Sequence, residues 1–392
     1  GGGLAGNVSR GIGDFGIGQS AAADGGGDGG DVTVQSEGSI ITRGTGATGI
    51  FAQSVGGGGG VSPIGNGFAG TVGGDGSAGR VTVSHTGTIT TFGDVSHGIV
   101  AQSAGGKDFG GVVAVTLNSS IATHGEGSTG IFAQSRGDKG AGNISVTLSD
   151  GAQVQGGSGT GVGVHLDAGN ANTLTNRGTI SALSGTAIAG GAGNDFVDNY
   201  GTVIGDVLLG QGANGFHNHP TGRLNAGPLV DLGSGNTLTN AGTFSPGGQD
   251  AIITTILNGD YVQAASGILE IEIAGWDPGT FDVLEVTGDW DFTAGRVDFV
   301  FLPEIDLAAG VSLHRSLTFP FLSTDGGPPG WLAGMSYGLA GCPLSLEYSV
   351  RHLDQQGLCL QVSQRPIPAP GALLLTGIGV VLLGWVRSRG LS

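Results

Sequence analysis

Short apolar–polar–apolar runs recur along the first part of the chain: Val32-Thr33-Val34, Val81-Thr82-Val83, Val115-Thr116-Leu117 and Val146-Thr147-Leu148. Alternation with period two sends one set of side chains inward and the other outward, which predicts a strand at each. A second short run follows the first three: Ile40-Ile41-Thr42, Thr88-Ile89-Thr90 and Ser120-Ile121-Ala122. A third unit then closes the repeat. It reads Gly49-Ile50-Phe51-Ala52-Gln53-Ser54 and returns as Gly98-Ile99-Val100-Ala101-Gln102-Ser103 and Gly130-Ile131-Phe132-Ala133-Gln134-Ser135. A worn copy lies at 15–20 and a divergent one at 161–166. Such a unit cannot bury its apolar face alone and stacks on its neighbours. The pattern predicts an all-β parallel β-helix (solenoid), with Ile50, Ile99 and Ile131 in an inner ladder. Gln53, Gln102 and Gln134 are expected above one another, with their amides bonded in a row. Glycine-rich stretches such as 56–60 and 70–79 make the repeats uneven, and a longer corner loop adds little entropic cost.

The period changes near 169. Asn172-Thr173-Leu174-Thr175-Asn176-Arg177-Gly178-Thr179 returns as Asn236-Thr237-Leu238-Thr239-Asn240-Ala241-Gly242-Thr243, with weaker copies at 196–201 and 216–218. Asn176, Asn199, Asn218 and Asn240 are separated by 23, 19 and 22 residues, a coil of roughly 21 residues. The Asn-x-Gly triplets are expected to form corners in the left-handed backbone region, and the asparagines to pair along the axis. From 261 onward longer alternating runs appear, at 267–273, 281–286 and 297–301, together with Trp276, Trp290 and Trp331. They predict a bulkier C-terminal β cap over an edge that would otherwise stay unpaired. The chain thus divides into solenoid repeats at 1–168, a second repeat type at 169–260, a cap region at 261–363 and a tail at 364–392.

Composition agrees with a glycine-punctuated β architecture: 85 of 392 residues are glycine and 11% are charged. The net charge of −17 comes with only two lysines, Lys107 and Lys139, which argues against a nucleic-acid partner. The two cysteines, Cys342 and Cys359, form a candidate disulfide in an oxidising compartment, the alternative being two free thiols. The chain starts at Gly1-Gly2-Gly3 in what reads as the middle of a repeat, as expected of a fragment.

Candidate chemistry is sparse, and no catalytic, cofactor or metal site is expected. The stretch 190–198 fits the calcium nonapeptide of β-rolls, but one copy lacks the neighbouring turn that shares each ion. His217-Asn218-His219 offers two imidazoles without a third ligand nearby in sequence, so a turn is expected. Glu270 and Glu272 alternate with Ile271 and Ile273, which places both acids on a solvated strand face, with no arginine or lysine close in sequence. Asp282 and Glu285 fit no two-carboxylate pattern.

The Gly-Ile-Phe-Ala-Gln-Ser unit followed by a glycine run, together with the Leu-x-Asn-x-Gly-Thr coils, resembles the passenger regions of bacterial autotransporter-type surface proteins. That resemblance covers most of 1–300 and implies a right-handed β-helix that serves as a scaffold. The tail differs from the membrane barrel that ends such proteins. Ile367, Pro368, Ala369 and Pro370 lead into an apolar run that includes Ala372, Leu373, Leu374, Leu375, Val380, Val381, Leu382, Leu383 and Trp385. Arg387 and Arg389 follow as a basic stop. The run of 372–386 would be about 22 Å long as a helix, shorter than the ~20 residues of an ordinary span. This tripartite tail resembles the PEP-CTERM sorting signals of Gram-negative bacteria, with Pro368-Ala369-Pro370 in place of proline–glutamate–proline. The resemblance implies a short transmembrane helix, an exosortase-type sorting enzyme and the inner membrane as partners, with the arginines on the cytoplasmic side; a plain membrane anchor is the alternative.

Together these features predict an exported, non-enzymatic surface or matrix protein, adhesin-like or structural, with exopolysaccharide or self-association as further partners. The alternatives are a β-helix enzyme acting on polysaccharide and, from Thr86, Thr88 and Thr90, an ice-binding face.

Overall fold

The computed structural model describes residues 27–57 and 75–302, apart from 276 and 293, together with the backbone of strands Ser316–Thr324, Ser336–Ala340, Leu346–Leu353 and Gly357–Gln364. The described residues build a parallel β-solenoid. One rung runs through strands Val81–Thr86, Thr88–Thr91 and Ile99–Ala104, and the next repeats it as Val113–Leu117, Ser120–Thr123 and Ile131–Arg136. Strands of equal place in successive rungs pair in parallel, so the chain winds around three faces. The first face is a ten-stranded sheet from Val32–Glu37 to Trp290–Asp291. The other two merge where Thr202–Leu208 and Arg223–Asp231 each turn the corner as one strand.

The core is a set of columns. On the second face Ile89, Ile121, Val154, Ile180, Val203, Leu224, Phe244, Leu269 and Val297 lie in register, each at most 1% exposed. On the first face the inner column runs Val83, Val115, Val146, Leu174, Val197, Phe216, Leu238, Tyr261 and Trp290. Side chains grow along it, and the Tyr261 ring packs on Phe244 and Phe292 at 5.9 and 5.2 Å. Each apolar residue therefore covers the one before it, which is how a thin solenoid buries apolar surface. The expected ladder of Ile50, Ile99 and Ile131 is present inside the third face.

The switch near 169 has a local cause. The next inward position of the first face is Leu117, then Leu148, and in the following rung Asn176. From there an amide column replaces the apolar one. The same parallel stacking runs past 260: Ile268–Ile273 pairs with Thr243–Pro246 before it and Arg296–Phe301 after it. Beyond, Gly357–Gln364 pairs antiparallel with both Ser316–Thr324 and Leu346–Leu353, so the direction of pairing reverses at this end of the described chain.

The Asn-x-Gly corners differ from expectation. Gly178, Gly201 and Gly242 do not lie in the left-handed region. A Cβ on them would instead sit 1.9, 2.1 and 2.2 Å from a carbonyl oxygen of the rung below: Ala152, Gly178 and Gly222 respectively. Glycine is required there because adjacent rungs touch backbone to backbone.

Candidate functional site

Three kinds of polar cluster stand out, and the first is the ladders. The Gln53 side-chain amide donates to the Gln102 Oε1, Gln102 donates to Gln134, and Gln134 ends the row on the Asp167 carboxylate. The neighbouring serines point inward and bridge rungs. Ser103 Oγ donates to Gly79 O at 2.8 Å and accepts Gly111 N–H at 2.7 Å, and Ser135 repeats this with Gly111 O and Gly142 N–H. The asparagines pair as expected: Asn176 to Asn199, Asn199 to Asn218 and Asn218 to Asn240, each at 2.8 Å. Their second amide hydrogens go to the carbonyls of Thr202, Arg223 and Thr243 on the second face. Each amide thus ties two rungs and one corner together, which meets the demand that buried polar groups be bonded.

A parallel column joins the corner on the other side. Asn172 Nδ2 donates to Asp195 Oδ1 at 2.8 Å, Asp195 N–H to Asn214 Oδ1 at 2.9 Å, and Asn214 N–H to Asn236 Oδ1 at 2.9 Å. Asp195, the aspartate of the calcium-type stretch, is fully buried in this column. Burial raises its pKa to about 6 against the opposing bonds from Asn172 and Gly191.

The second cluster is acidic, and here the alternation argument fails. Glu272 is not on a solvated face but 3% exposed. The loop before it folds over the strand, and Asp250 and Ala251 N–H groups donate to its two carboxylate oxygens at 3.0 and 3.1 Å. Asp282, also buried, accepts from Ile253 N–H at 3.0 Å and Glu272 N–H at 2.9 Å. Burial, with Glu272 and Glu270 close by, pushes its pKa up to about 7 against those two bonds. Glu270 does have a basic neighbour: the Arg223 guanidinium, two rungs away, donates to it and to Asn225 Oδ1. All three acids are therefore engaged. At a different corner lies an open polar hollow of about 320 Å³, lined by Gln211, Asp231, Ser234, Asn236 and Asn258, and there too Asp231 already accepts from Asn258 at 2.7 Å.

The third cluster overturns the reason for reading His217-Asn218-His219 as a bare turn. Register pairs Asp198 with His217 across adjacent rungs of the first face. One ligand atom each from Asp198, His217 and His219 lies within 4.8 Å of the others. The third ligand was missed because it lies 19 residues before His217; the offset between Asn199 and Asn218, one rung, was the signal that predicts the match.

The sorting-signal residues and membrane run at 365–392 and Cys342 lie outside the described residues, as does the side chain of Cys359. Among the described residues no helix is long and apolar enough to cross a membrane. The sequence matches no protein-family model and no curated protein.

Proposed function

We propose that this chain is an exported structural or adhesive protein of a Gram-negative bacterial surface or extracellular matrix. Its solenoid is a spacer, held at the inner membrane by a short helix at 372–386 until an exosortase-type enzyme acts at 367–370. A bulkier segment after 261 caps the solenoid, and exopolysaccharide or other copies of the chain are its partners. The observation that carries this reading is the self-satisfaction of the buried amide and serine ladders. The glutamine and asparagine ladders bond to their own copies in the next rung, and the serines to the backbone of adjacent rungs, as stacking material does. The acids near Arg223 favour the same reading over polysaccharide cleavage, because Glu270 is held by an arginine and Glu272 and Asp282 by backbone N–H groups. A general acid or base needs a carboxyl group within reach of substrate.

Cell fractionation of the full chain with and without 364–392 tests this. The full chain is expected in the membrane and surface fractions, and the truncated one is expected to lose the membrane pool. Recovery of both versions as soluble cytoplasmic protein overturns the proposal.

A further inference from the structure

We propose that Asp198, His217 and His219 form a binding site for one divalent ion of the zinc class. The site is assembled by the stacking of two rungs. Asp198 lies on strand Asn194–Asn199, His217 on Gly215–Asn218, and His219 at the corner that follows. His219 Nε2 is 2.8 Å and His217 Nδ1 3.6 Å from Asp198 Oδ1. Zinc bonds to imidazole nitrogen and carboxylate oxygen are about 2.0–2.2 Å, so tetrahedral ligands stand roughly 3.3–3.5 Å apart. The two observed distances bracket that value, and small side-chain rotations admit an ion.

The cluster is also braced. The Tyr200 ring stacks on His219 at 3.9 Å with 8° between planes, and the Arg177 guanidinium covers the other side of Tyr200 at 4.3 Å. Arg177, Tyr200 and His219 occupy the same corner position in three successive rungs, following Asn176, Asn199 and Asn218. The stack fixes the orientation of one imidazole before any ion arrives, which lowers the ordering cost of binding. Two imidazoles and one carboxylate suit zinc and its late first-row neighbours; calcium and magnesium prefer all-oxygen sets. The half-exposed His217 leaves the outer coordination positions open to water.

Metal-free full-length protein is titrated with zinc against a chromogenic chelator, and with cobalt(II) followed by its visible bands. One tight equivalent is expected, with cobalt bands of a nitrogen–oxygen site. His217→Ala keeps the Tyr200 stack and the amide column intact; it is expected to weaken zinc at least tenfold and abolish the cobalt bands. His124→Ala, a histidine elsewhere on the solenoid, is expected to change neither. No zinc uptake, or equal affinity in the two variants, overturns the site.

Discussion

His97 shows how a single residue inherits its chemistry from the rung above. It occupies the place of Thr48 and Thr129 in the neighbouring repeats, and the Thr129 N–H donates to its Nδ1 at 2.9 Å. An imidazole that accepts at Nδ1 carries its proton on Nε2, and adding a second proton destroys the bond. Burial first, and the charge of His165 second, bring its pKa from 6.5 down to about 4. The unfolded chain therefore binds more protons between those values. The His97 contribution is complete above about pH 6.5 and is lost as pH falls toward about 4, on the order of 3 kcal/mol in full. Thermal melts across that range are expected to show a steeper acid loss for the wild-type chain than for His97→Asn, which keeps an acceptor that does not titrate. Parallel slopes would show that His97 does not titrate differently in the folded state.

At the scale of the element, the unit is the column rather than the strand. The asparagine column from Asn176 to Asn240 ends on Gln263, which Asn240 reaches at 3.0 Å. Removing a middle member leaves a donor below and an acceptor above without partners in a dry interior, at about 1–3 kcal/mol each. Asn199→Ala is thus expected to destabilise the fold by about 3 kcal/mol in a denaturant titration, whereas a loss under ~0.5 kcal/mol would mean that the column is not a working chain of bonds. This column was legible because the coil length hardly varies and the residue type repeats. The acidic cluster was not. Alternation assigns Glu272 to the outer face correctly, but whether an outer face meets water depends on the loop at 247–253, which folds back over it. The corner glycines were legible as corners, while their cause, contact between rungs, is a property of stacking.

For the whole molecule, the relevant fact is that backbone pairing joins each rung only to its neighbours, with Arg223–Glu270 a side-chain contact that spans two, so stability is close to a sum of rung and interface terms. The interior changes along the axis from valine, isoleucine and serine, through amides, to Phe244, Tyr261 and Phe292. Unequal interfaces need not melt together. All four tryptophans lie at or beyond 276 in the sequence, so their fluorescence reports the chain from 276 onward while far-ultraviolet circular dichroism reports every strand. Non-coincident unfolding midpoints from the two signals are expected, and superimposable curves would mean that the solenoid unfolds as a single unit.

The sequence by itself determined the class of architecture and its material. A short unit repeated with period-two alternation can bury its apolar residues only by stacking, and repeated glutamine and asparagine then meet their own copies. Tertiary structure alone decided what lies between rungs and above the faces. The 19-residue coil already pairs Asp198 with His217, but only stacking and side-chain reach bring Arg223 across two rungs to Glu270. The corner loops set which outer side chains are covered, which is why Glu272 and Asp282 are buried. Both depend on distances across the chain, and a pattern read along it carries only the distances within a strand.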